Sequence, residues 1–211
     1  GSNAARDSLA LLRGMLRHAR DDRPLPGAFL SLRWAELFLS RGGRMERTTP
    51  IVDVYADSSG WYVACVPGDV PLLARASHEL LTSGDIEVTL PALSQIRRDI
   101  YLGASVASVV EVADGDLHVQ RIVNSGTGTV RGTVLAGDAR PLVGARVALL
   151  GGTGEVRTDS RGSFRLSDLP QGTQMIEARA VGYLPAQQAV DVVSFRESTV
   201  ELYLVDLRAV E

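Results

Sequence analysis

The sequence predicts an all-β protein, two tandem seven-stranded antiparallel Greek-key β-sandwiches joined by a β-hairpin linker, and three observations carry that expectation. Apolar residues recur with a period of two: Ala145, Val147 and Leu149 alternate, as do Ile176, Ala178 and Ala180, then Val200, Leu202 and Leu204. That spacing belongs to half-buried strands, not helices. Turn signals such as Gly-Asp-Ala-Arg-Pro, Gly-Gly-Thr-Gly, Asp-Ser-Arg-Gly and Leu-Pro-Gln-Gly separate the runs, recurring about every eight to twelve residues, the cadence of a sandwich and too tight for βαβ units. Third, a set of anchors is written twice in the same order, the mark of an internal repeat.

Taken along the chain, residues 1–4 (Gly-Ser-Asn-Ala) read as a cloning scar, and repeat one is expected over 5–103. Its "LLRGML" around Gly14 answers "TVRGTV" around Gly132, and "RPLPGAFLSL" from Arg23 answers "RPLVGARVALL" from Arg140. "ADSSGWYVACVPG" from Ala56 answers "TDSRGSFRLSDLPQG" from Thr158, with the aromatic of the first copy read as shifted in spacing. Ala-Arg-Ala at 74–76 is matched with 178–180, and Ile100-Tyr101-Leu102 with Leu202-Tyr203-Leu204. The Arg-Pro-Leu anchors lie 117 residues apart but the Asp-Ser-x-Gly anchors only 102, so repeat one carries an insertion, placed at 36–50. Residues 104–126 read as the linker hairpin, turning at Asp114-Gly115-Asp116. Repeat two occupies 127–211, with strands near 127–136, 144–150, 155–159, 162–167, 173–181, 186–193 and 198–206.

The shared residues have backbone reasons. Proline fixes φ and cannot donate to a ladder, so Pro24 and Pro141 belong just before a strand. Gly27 and Gly144 permit the bend that follows. Asp57 and Asp159 are expected to accept amide hydrogens of their own turns, Gly60 and Gly162 to take positive φ, and Phe164 to point into the core.

Several function classes find no support. A net charge of −3 without a basic cluster gives no electrostatic basis for nucleic-acid binding. All 22 basic residues are arginine. No apolar run reaches the roughly 18 residues of a membrane-crossing helix, so no membrane insertion by this fragment is expected. A signal peptide is expected to have been trimmed from a longer chain. Cys65, the single cysteine, reads as a small buried hydrophobe. His18, His78 and His118 lack metal-ligand spacing and read as surface or turn residues. No Gly-x-Ser-x-Gly elbow is present, and "GGTG" at 151–154 precedes a strand-like "EVRTD" where a phosphate loop needs a helix. At most two carboxylates per turn argue against calcium. Neither a catalytic residue nor a cofactor or metal is therefore expected.

The stretch "VRGTVLAGDARPLVGARVALLGGTGEVRTDSRGSFRLSDLPQGTQMIEARAVGYLP" resembles the carboxypeptidase regulatory-like domain, a transthyretin-like (prealbumin-like) seven-stranded sandwich, over roughly 127–206. Repeat one is similar in a degenerate form. The resemblance implies a non-enzymatic accessory module, extracytoplasmic (periplasm, outer membrane or secreted), of the kind found in bacterial envelope proteins including TonB-dependent outer-membrane receptors. The transthyretin-like hydroxyisourate hydrolases end in a Tyr-Arg-Gly-Ser tetrapeptide that is missing here. The expected role is a spacer or protein-interaction unit with an unidentified protein partner. The alternative is a carbohydrate-binding module, since such modules belong to the related superfamily. Candidate contact residues are Trp34, Phe38, Arg41, Arg44, Trp61 and Tyr183: the tryptophans and Tyr183 for sugar stacking, and the insertion "ELFLSRGGRMERTTP" as a partner-contacting loop.

Overall fold

Alternating burial runs through strand after strand of the computed structural model, which describes residues 8–40, 42–114, 117–152 and 154–209. The chain divides into two units, residues 1–18 with 22–102 and residues 19–21 with 103–211. The first contains β1 (Leu9–His18), β2 (Phe29–Trp34), β3 (Glu36–Leu39), β4 (Met45–Thr48), β5 (Ile51–Tyr55) and β6 (Trp61–Pro67), then β7 (Pro71–His78), β8 (Leu81–Thr82), β9 (Ile86–Thr89), β10 (Gln95–Arg97) and β11 (Ile100–Leu102). β1 runs antiparallel to β6 and parallel to β10 and β11. β2 lies between β5 and β7, and β7 also pairs β8 and β9. The core is what period two sends inward from both sheets: Leu12, Leu16, Tyr62 and Ile100 from one, Leu30, Leu32, Leu72 and Ile86 from the other. Each such leucine removed from water contributes roughly 1.5–3 kcal/mol.

The second unit begins with the hairpin β12 (Val106–Asp114) and β13 (Leu117–Ser125); Gly115 and Asp116 of the expected turn lie outside the described residues. It continues with β14 (Gly128–Ala136), β15 (Arg146–Leu149), β16 (Glu155–Arg157), β17 (Ser163–Leu169), β18 (Gly172–Arg179), β19 (Ala186–Val192) and β20 (Ser198–Leu204). β14 is antiparallel to β17 and parallel to β20, while β15 joins β16 to β18 and β18 pairs β19. The core again draws on both sheets, with Val130, Val134, Phe164 and Leu202 on one side and Val147, Ile176, Ala178 and Val192 on the other. This is an all-β architecture, and the seven strands expected over 127–206 are present.

Both units share one wiring, and its registers can be compared rung by rung. Leu16 sits opposite Ile100 and His18 opposite Leu102; Val134 sits opposite Leu202 and Ala136 opposite Leu204. Gly14 faces Tyr62 across β1–β6 as Gly132 faces Phe164 across β14–β17. The aromatic is therefore not shifted: Tyr62 holds the place of Phe164, and Trp61 holds that of Ser163. The Ala-Arg-Ala match also needs correction. Leu30 pairs Ala76 where Val147 pairs Ala178, so Ala76 corresponds to Ala178, two residues from the alignment read in the sequence. Cys65 is corrected as well: it is exposed, because β6 turns Tyr62, Ala64 and Val66 inward and sends Val63 and Cys65 out.

The two repeated turn motifs form one corner. Asp57 Oδ1 accepts the amides of Ser59 at 2.8 Å and Trp61 at 3.0 Å; Asp159 Oδ1 accepts those of Arg161 at 2.8 Å and Ser163 at 2.9 Å. These amides, Ser163 first and then Arg161, hold the Asp159 carboxyl below the usual carboxylate range. Gly60 and Gly162 then take φ of 82° and 72°. A Cβ on Gly60 would come within 2.7 Å of the Pro24 ring, and one on Gly162 within 3.1 Å of Pro141, so the turn carrying the aspartate packs on the turn carrying the proline. Gly27 and Gly144, at φ of 72° and 71°, complete the bend before β2 and β15.

Candidate functional site

The insertion is a β-ribbon. β2 and β5 pair from Phe29↔Tyr55 to Arg33↔Ile51, and β3 and β4 pair from Glu36↔Thr48 to Leu39↔Met45 without a change of register. Between them the Trp34 amide donates to the Pro50 carbonyl at 3.3 Å, and beyond them the Ser40 amide donates to Arg44 O at 2.9 Å. In the second unit the corresponding hairpin stops at Ala148↔Glu155, and Gly152 N donates to Leu149 O in its turn. "GGTG" therefore lies in a hairpin connection, although Thr153 is outside the described residues. The extra residues of repeat one lengthen one hairpin into an arm.

Every residue of β3 and β4 is exposed, including Leu37 at 67%, Phe38 at 46%, Leu39 at 69% and Met45 at 65%. A two-stranded ribbon with no sheet beneath it is at best marginally stable in water, and apolar side chains on both its faces gain nothing from solvent. The pairing sorts them. Leu37, Leu39, Met45 and Arg47 share one face; Glu36, Phe38, Glu46 and Thr48 share the other, with the Trp34 Nε1 donating to Glu36 Oε1 at 2.9 Å. Where the arm leaves the sheet, a hollow of about 250 Å³ is lined by Arg33, Trp34, Arg47, Thr49, Leu73 and Glu87, among others.

The remaining candidates are dispersed. Arg44 closes the arm's tip, and Arg41 lies outside the described residues. Trp61 opens β6 under the Arg97 guanidinium, 4.9 Å from its ring, on the sheet that does not contain Trp34. Tyr183 belongs to the second unit, where it packs against the core. Trp34 and Trp61 therefore do not make a joint stacking platform.

Asp99 gathers charge without catalytic geometry. It interrupts the ladder between β10 and β11, and its Oδ1 accepts the Met15 amide at 3.1 Å while Oδ2 faces Arg97 at 3.3 Å and Arg17 at 3.4 Å. Burial opposes its ionisation, but the hydrogen bonds from Arg97 and Met15 and the two guanidinium charges outweigh that and hold its carboxyl below the ordinary value. Tyr62 donates its hydroxyl to Arg98 O at 2.6 Å, and burial first, then Asp99, pushes its pKa up. The carboxylate is thus held ionised by its partners and the phenol neutral by burial. No group of three or more His, Cys, Asp or Glu is placed to hold a metal among the described residues.

One site escaped the sequence reading. On the outer face of β17–β14–β20 an open groove of about 680 Å³ is lined by Arg131, Thr133, Ser163, Thr199, Glu197 and Glu201, among others. Arg131 meets Glu197 at 3.3 Å, and Tyr203 donates to Glu201 at 3.1 Å. The signal was available in the polar alternation Thr129-x-Arg131-x-Thr133 and Thr199-x-Glu201-x-Tyr203, which period two turns outward.

Residues 129–205 match the family model of the carboxypeptidase regulatory-like domain. No curated protein matches the chain. Among solved structures, the chain is similar to GBS52, the minor pilin of Streptococcus agalactiae, at 15% identity over 94% of this chain and 96% of that one, with a TM-score of 0.34. It is also similar to the shaft pilin SpaA of Lactobacillus rhamnosus GG, at 12% identity over 94% and 97%, with a TM-score of 0.29. A streptococcal ancillary pilin aligns at 16% identity over 93% of this chain and 62% of its own, with a TM-score of 0.27.

Proposed function

We propose that the chain is a non-catalytic pair of β-sandwich modules, a spacer and protein-interaction unit of an extracytoplasmic bacterial protein, with the β3–β4 arm as its contact surface. The exposed apolar arm is the single observation that carries this reading. The turn aspartates are consumed in capping their own backbone, which leaves them no reaction to perform. Resemblance of 129–205 to an envelope-associated module supports placement outside the cytoplasm, including as the accessory region of an outer-membrane receptor. A photo-crosslinker at Phe38 in the intact protein in cells is expected to yield one discrete protein adduct. Replacing 35–50 with the short Gly-Gly-Thr-Gly turn should abolish partner binding while leaving the unfolding temperature within a few degrees, since none of the described residues of that segment belongs to the buried core. A ladder of random adducts, or binding undisturbed by the shortened hairpin, would sink the reading.

The groove over β17–β14–β20 favours a second reading, glycan binding by the 127–211 unit. Paired carboxylates, a guanidinium and rows of hydroxyls suit sugar hydroxyl groups, and half-exposed Tyr203 offers a ring. Calorimetric titration with neutral and acidic oligosaccharides should then show saturable heat that Arg131→Ala removes and Trp34→Ala leaves intact. No heat with either class would dismiss it.

A further inference from the structure

The arm carries a knob on one face and a hole on the other. Phe38 stands out from its face with Glu46 directly across the ribbon and Glu36 two residues back, so an apolar ring is flanked by two carboxylates. The hollow at the arm's root, on the side of Arg47, encloses about 250 Å³ and is flanked by two guanidiniums, Arg33 and Arg47. Among the described residues Arg33 makes one ion pair, a half-exposed contact with Asp85 at 3.8 Å, and Glu87 is a carboxylate in the lining. Arg47 and Glu46 form no ion pair among the described residues, so each keeps its charge for a partner. A fold that needed these charges for itself would have paired them.

The charges that flank the knob and those that flank the hole are opposite in sign. We infer that the occupant of the arm's hollow is a second copy of this chain: Phe38 of one copy enters the hollow between Arg33 and Arg47 of the next, with Glu36 and Glu46 against those guanidiniums. The inference rests on the arm being the contact surface and names its partner. The knob and the hole occupy different faces, so the contact is heterologous. It leaves a free knob at one end and a free hole at the other, and such contacts propagate instead of closing into a two-fold dimer. The area of a short ribbon is well below that of a stable standard interface, so the affinity is weak for one contact and strongly salt-dependent.

Sedimentation velocity of the purified chain over rising concentration, at low and high salt, reads this directly. The weight-average mass should climb past the dimer at low salt and fall back in high salt. Arg47→Glu spoils only the hole and Phe38→Ala only the knob, so each variant alone should associate at least about tenfold more weakly. Mixed, they should form a 1:1 heterodimer and nothing larger, because one supplies an intact knob and the other an intact hole. Both substitutions are at exposed ribbon positions, so circular dichroism should show unchanged folding. A monomer at every concentration, a closed dimer as the end point, or a mixture whose mass is the average of its two components would overturn the inference. The Phe38 crosslink in cells distinguishes this outcome from failure of the interaction reading itself: an adduct with a different protein sinks self-docking and keeps the arm as a contact surface.

Discussion

Gly132→Ala should destabilise the second unit by more than about 3 kcal/mol, and Gly14→Ala should do the same to the first, as read from urea unfolding. A single methyl group has this effect because of where it would land. A Cβ on Gly132 would fall 2.2 Å from the carbonyl oxygen of Val200 and 2.7 Å from the Phe164 ring; on Gly14 it would fall 1.9 Å from the carbonyl of Arg98. The carbonyl of Val200 belongs to β20, paired parallel with β14, and that of Arg98 to the two-residue link between β10 and β11, both paired parallel with β1, so neither can swing aside without disturbing those ladders. Gly27→Ala provides the contrast. Its Cβ would meet nothing within 4 Å, and the only penalty is the φ of 72°, roughly 1–2 kcal/mol for a non-glycine residue. Equal losses at Gly27 and Gly132 would refute the packing account.

The second large effect lies opposite those glycines. Phe164→Ala and Tyr62→Ala should each cost about 3–5 kcal/mol, the range for removing a buried aromatic, in the unfolding free energy of the unit that holds it. Trp61→Ala should cost distinctly less, since Trp61 is only partly buried and Tyr62 is the ring that fills the core. Were Trp61 to prove the costly one, the rung-by-rung equivalence of Tyr62 and Phe164 would fail with it.

Why some of this was legible and some was not follows from what period two can encode. Alternation at Val200, Leu202 and Leu204 placed β20 well because inward and outward positions differ sharply in polarity. Asp57 and Asp159 were readable because their roles are local, settled by amides within four residues. Register between strands is a different matter. A two-residue slip keeps every side chain on its own face, so matching Ala-Arg-Ala by letter satisfied the pattern while missing the pairing of Ala76 with Leu30. The same logic, applied strictly, would have turned Cys65 outward, since Ala64 and Val66 beside it are core residues. The arm was read as a loop because its turn "SRGGR" dominates the eye, whereas the paired "ELFL" and "MERT" on either side of it held the ribbon. The groove of the second unit depends on three strands brought side by side, and no single stretch of sequence shows that.

The single register kept from Phe29↔Tyr55 to Leu39↔Met45 has a geometric corollary. A rod built of matched rungs can be shortened or grown by two rungs at a time with its sides keeping their identity, whereas a change of one rung turns the outer part over. Reach and chemistry are thus separable variables in this appendage, and the sandwich at its root is indifferent to both.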